Sequence, residues 1–202
     1  MSLKRTDWKA VLDQPKNVGM KAAGGTGIGN ALFNVEEAEK KFQAQQTVAL
    51  GNALDTALTT LKNQCDATVK KHKALYTTAC AYLQTVSQEA ANRMKALNGE
   101  LNVIRQEEQE AKLKQQRRAA LKGICEHALA AVRGAKDMKE LNQIWPKFGT
   151  DLEKAAHGST TFQATVNKVK NFKKQPDAKG ILDVRKEYVV LVQEAEGASH
   201  TA

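Results

Sequence analysis

Three prolines and a 5% aromatic share in 202 residues leave little to interrupt helices, so the chain is expected to pack through Leu, Ala and Val on helical faces. No stretch of the sequence holds enough consecutive apolar residues to span a bilayer, and the longest run near the end is only Tyr188 to Val192. The three cysteines, Cys65, Cys80 and Cys125, are odd in number and widely spaced, which argues against a disulfide framework and suits a reducing compartment. The opening MSLKRTDWKAVLDQPKN has no apolar signal-type core. The expectation is therefore a cytoplasmic protein that does not span a membrane. No internal repeat of fixed period is visible.

Hydrophobic residues make up 42% and charged residues 26%, a globular composition in a chain long enough for one domain with an attached arm. The net charge of +9 biases the protein toward anionic partners. Its main concentration is residues 159–186, where seven Lys and Arg face two Asp.

Helical spacing organises the middle of the chain. Asn34 with Glu37 three residues on reads as a capped helix start, and Leu54, Leu58, Leu61, Cys65, Thr68, His72, Leu75, Ala79, Tyr82 and Val86 then alternate steps of four and three. After Val86 the steps change through Ala90, Met94 and Leu97, which breaks a strict coiled-coil seam. Ala53, Ala57, Val69, Tyr76 and Leu83 widen the face beyond what one partner helix would cover. Unbroken, the tract from Asn34 to Leu97 would be a rod of about 95 Å. Either the chain is such a rod, or the helix breaks, with Asn63 to Asp66 the best place. Asn98-Gly99 reads as a helix stop and hairpin into a second helix ending at Gly134, whose charged middle, RQEEQEAKLKQQRRAA, is either a solvated section or an interaction face.

Around this core the sequence predicts a short helix over residues 4–13, ended by Pro15, and a glycine-rich stretch from Asn17 to Asn30 that is flexible or docks as an arm. Shorter helices follow at residues 137–148, 151–156 after a Thr150/Glu153 box, and 162–173 after a Thr160/Gln163 box. Pro176 breaks the chain again, and residues 178–195 are assigned to helix because no second strand exists to pair them. The expected fold is all-α: a helical bundle built on a long hairpin, 34–97 and 100–133, with an extended arm over 1–33, a bundle domain over 34–195 and a tail over 196–202.

Chemical motifs are sparse. GGTGIG, Gly24 to Gly29, lacks the preceding strand a dinucleotide-binding turn requires, and reads as a linker. Cys65, His72 and Cys80 share one helical stripe and Cys125 neighbours His127, but no Cys-x-x-Cys or His-Glu-x-x-His spacing is present. Glu107, Glu108 and Glu110 sit in the most polar section, where nothing apolar would raise a carboxyl pKa. His157 and His200 fall in an expected turn and tail. No catalytic residue, cofactor, metal or small-molecule substrate is expected.

Two readings remain. The first is a non-enzymatic structural or interaction protein that self-associates or docks with protein partners, through a face carrying Leu54, Leu58, Leu61, Leu75, Tyr82 and Val86. The second is a basic helical module for nucleic acid or an anionic membrane surface. Its candidate residues are Lys168, Lys170, Phe172, Lys173, Lys174, Lys179, Arg185 and Lys186, although Phe162, Val166, Val169 and Phe172 also form an ordinary core stripe. Lys112, Lys114, Arg117, Arg118 and Lys122 make a weaker patch offset by nearby glutamates.

Overall fold

A computed structural model describes residues 3–173 and 180–200, and among these no strand occurs. The chain divides into two compact units, Met1–Glu108 and Gln109–Ala202, each with its own apolar core. The expected single bundle over 34–195 thus differs from the observed division, whose boundary falls inside a helix.

In the first unit, α1 (Arg5–Leu12) buries Trp8 and Leu12, one turn apart. The glycine-rich stretch is not an extended arm. It forms a 3-10 turn over Pro15–Met20 and a wide turn over Lys21–Gly25, in which Gly24 takes φ 111°, a conformation open to glycine without strain. Trp8 Nε1 donates to the Gly25 carbonyl at 2.7 Å, and its ring stacks on Tyr82 at 5.8 Å. This segment is therefore part of the core.

Helix α2 (Thr26–Ala44) starts eight residues before Asn34, because Ile28, Ala31, Leu32 and Val35 form one buried stripe across the expected cap. Asn34 is exposed within the helix. The chain turns at Gln45, and Thr47 caps α3 (Val48–His72) by accepting from Leu50 N at 3.3 Å. Residues 73–76 then turn into α4 (Thr77–Gly134). The expected rod is thus divided, but not at Asn63 to Asp66. Cys65 is buried there in line with Leu54, Leu58 and Leu61, and Asp66 accepts from Ser87 Oγ and Lys62 Nζ, both at 2.6 Å, instead of capping a helix.

Contacts between α3 and α4 run antiparallel: Gly51 meets Leu101, Thr59 Oγ1 donates to Met94 Sδ at 3.3 Å, and Asp66 meets Ser87. On the other side Arg93 of α4 donates twice to the Glu39 carboxylate of α2, at 2.8 and 3.0 Å, and twice to Glu100, at 2.6 and 3.4 Å. Asn98-Gly99 does not end α4. Leu97 and Leu101 are both buried four residues apart, and holding them on one face outweighs the roughly 1 kcal/mol that glycine costs a helix. The expected hairpin at 98–99 is replaced by the turn at 73–76.

The second unit comprises α4 from Gln109, α5 (Met138–Ala155), α6 (Gln163–Lys170) and α7 (Ile181–Ser199). Asp137 caps α5, accepting from Glu140 N at 2.8 Å while the Glu140 carboxylate accepts from Lys136 N at 2.6 Å. The two helices expected over 137–156 are one. Pro146 lies within α5, and Thr150, instead of capping, donates back to the Pro146 carbonyl at 3.0 Å. Buried Leu141, Trp145, Phe148 and Leu152 hold the helix through the proline. Gly158, at φ 79°, reverses the chain, and Ser159 Oγ accepts from Phe162 N at 3.3 Å ahead of α6. Trp145 stacks on Tyr188 of α7 at 4.1 Å and donates through Nε1 to the Val169 carbonyl at 3.2 Å. Helix α7 confirms helix, not strand, for the β-branched run near the end.

Candidate functional site

The basic segment is dispersed by its own ion pairs. Lys168 pairs with Glu194 of α7, and Lys170 reaches both carboxylate oxygens of Glu153 of α5 at 2.8 and 2.9 Å. Arg185 donates to the Ala135 carbonyl at the end of α4, and its Nε is buried without a partner. Phe172 stands edge-on to Trp145 at 5.9 Å and to Tyr188 at 6.1 Å, so it belongs to the aromatic core and not to a stacking platform. Lys173 and Lys186 are exposed, while Lys174 and Lys179 lie outside the described residues. The acidic partners are 17 and 26 residues away in sequence, which hid these pairings from the sequence.

The proposed self-association face is largely spent inside its own unit. Leu54, Leu58, Leu61 and Val86 are buried in the first core, and Tyr82 is half-buried against Trp8. Leu75 alone of the six is exposed, at the α3–α4 turn.

The thiols and imidazoles do not converge. Among the described residues no group of three or more His, Cys, Asp and Glu is placed to hold a metal ion. Burial pushes the Cys65 and Cys125 thiols up to about 12 and raises Cys80 as well, so these sulfurs stay protonated and unreactive near neutrality. His127 Nδ1 lies 2.7 Å from the Gly123 carbonyl one turn back on its own helix. The Arg117 guanidinium, from the weaker basic patch, donates to the His157 carbonyl at 3.1 Å and so anchors the α5–α6 turn. Within GGTGIG one glycine is required by close packing. Gly25 is buried, and a Cβ there would lie 2.7 Å from the Met20 carbonyl.

What the second unit does present is a groove along α4 and α5. Ile124, Ala128, Ala131, Ile144 and Phe148 line a cavity of about 360 Å³, rimmed by His127, Lys147 and Asp151. Ala131, Ile144 and Lys147 continue into a neighbouring cavity of about 390 Å³ bounded by Gly134, Ala135, Glu140 and Gln143. Beyond Ile124 the α4 side of its floor is alanine and glycine, short side chains over which another backbone can approach closely. On the α5 side Ile144 and Phe148 supply apolar surface. The sequence signal for this was the small-residue spacing Ala128, Ala131, Gly134, Ala135, which reads equally as ordinary helix packing until α5 is placed beside it.

Among the described residues no helix is long and apolar enough to cross a membrane. No known protein family matches the sequence, and no curated protein or solved structure matches the chain.

Proposed function

We propose that the chain is a non-enzymatic interaction protein whose second unit receives a helix from a protein partner or from a second copy. The observation that carries this reading is the groove along α4 and α5, with its small-residue floor, apolar wall of Ile144 and Phe148, and polar rim. Such a groove suits the apolar face of an amphipathic helix, whose anchors recur every three or four residues, while His127, Lys147 and Asp151 would fix its register. The groove is spanned on α4 by residues 124–134, about three helical turns, with Ala135 just beyond. That is the length over which a short docked helix makes most of its contacts.

Ala131 is exposed and borders both halves of the groove, so Ala131→Arg fills it without touching the buried core. In this reading a photo-cross-linking side chain at position 131 captures a protein partner or a second copy, and Ala131→Arg abolishes the assembly at an unchanged melting temperature. A wild-type chain that sediments as a monomer and yields no cross-linked protein would count against it. The basic alternative through 168–186 is less favoured, because Lys168, Lys170 and Arg185 are engaged within the unit.

A further inference from the structure

One end of the first unit is cationic and apolar at once. The turn between α3 and α4 leaves Leu75 75% exposed, and exposed Lys70, Lys71 and Lys73 precede it. The glycine-rich segment lies antiparallel along the last turns of α3. A Cβ on Gly27 would come within 3.9 Å of Gln64 Oε1 and one on Gly24 within 3.8 Å of Thr68 Oγ1, while one on Gly19 would collide with the Tyr76 hydroxyl. That docking carries Val18, 55% exposed, and exposed Lys16 to the same end. Residues distant in sequence are thereby gathered into one surface.

The stretches that build this end carry no acid of their own. Residues 14–35 and 67–88 contain no Asp or Glu before Glu36 and Glu89. The carboxylates that precede them in sequence are engaged: Asp13 with Lys21 at 2.8 Å, and Asp66 with Lys62 and Ser87. Among the described residues Lys16, Lys70, Lys71 and Lys73 enter no ion pair. The lysines closing α3 complement its dipole, but that accounts for neither Lys16 nor an exposed leucine at the apex.

We infer that this end of the first unit docks on an anionic lipid surface, its lysines meeting the headgroups and Leu75 and Val18 entering the acyl boundary. The charge by itself would also attract nucleic acid. Leucine and valine offer nothing to a phosphate, however, and the two nearby rings, Tyr76 and His72, are both half-buried, packed against each other at 6.2 Å. This site lies on a different unit from the α4/α5 groove and does not depend on it.

The test is co-sedimentation of the full chain with phosphatidylcholine vesicles, with and without phosphatidylserine. Binding is expected only with the anionic lipid, and should fall steeply as salt shortens the Debye length from about 10 Å at 0.1 M to about 3 Å at 1 M. Each lysine near such a surface contributes about fivefold, so Lys70→Ala with Lys71→Ala should weaken binding about 25-fold. Leu75→Ser should weaken it about tenfold with no change in charge. All three positions are exposed, and circular dichroism verifies the fold of each variant. Lys173→Ala with Lys186→Ala removes the same charge from the second unit and should leave binding unchanged. The inference is overturned if the chain ignores anionic vesicles, if Leu75→Ser binds like wild type, if the Lys173/Lys186 control loses as much as the Lys70/Lys71 pair, or if duplex DNA is bound and Leu75→Ser does not matter.

Discussion

Gly51 of α3 stands between Leu101 of α4 and Phe42 of α2. A Cβ there would collide with Leu101 Cδ2 and lie 3.2 Å from Phe42 Cε2, both belonging to fully buried side chains. Gly51→Leu should therefore overpack the first core and lower stability by about 1–3 kcal/mol in urea unfolding, where an unchanged midpoint would refute the packing described. The buried thiols make a second test. Cys65 and Cys125 have folded pKa values pushed up to about 12 by burial, from an unperturbed 9.0. A raised folded pKa means that the unfolded chain releases these protons first as pH rises. Their contribution is complete below about pH 9 and is lost progressively toward pH 12. Unfolding free energy should accordingly decline over that window. In native protein at pH 8 both thiols should resist a disulfide reagent that labels all three cysteines in denaturant, and rapid native labelling of Cys65 would contradict their placement.

Helix α4 passes through Asn98-Gly99 although that dipeptide is a strong local stop. Gly99 has no positive φ, and a Cβ there would meet nothing within 4 Å. Gly99→Ala should raise stability by about 0.5–1 kcal/mol in thermal or urea melts, through helix propensity alone. A glycine ending the helix in the left-handed conformation would give the opposite sign. The same conflict between local and tertiary signals governs what was legible in the sequence. The all-α class was legible because Leu54, Leu58, Leu61 and Cys65 keep helical spacing and do face the core. Element ends were less so. The Asn34/Glu37 cap was overridden by the Ile28, Ala31, Leu32 and Val35 stripe. The turn at residues 73–76, Lys-Ala-Leu-Tyr, contains no Gly, Pro, Asn or Asp to announce it. The basic segment was legible as charge but not as pairing, since Glu153 and Glu194 arrive from other helices. The cationic end was not legible at all, because Lys16 and Val18 join Lys70 to Leu75 only once Gly19 has packed on Tyr76.

At the scale of the molecule, the two units keep separate cores with no residue in common, and each presents its own surface. The first has a positive end carrying an exposed leucine, and the second an apolar groove with a polar rim. Both bring together what recognition uses: apolar area to bury and charge to orient it. Sedimentation of wild type against Ala131→Arg, read together with cross-linking from position 131 in native extract, decides whether the groove receives a helix. A groove that receives a helix yields a species heavier than the monomer, formed by the chain with itself or with the cross-linked partner and lost in Ala131→Arg while the melting curve is unchanged. A monomer with no cross-linked product, or an assembly that Ala131→Arg leaves intact, would contradict it.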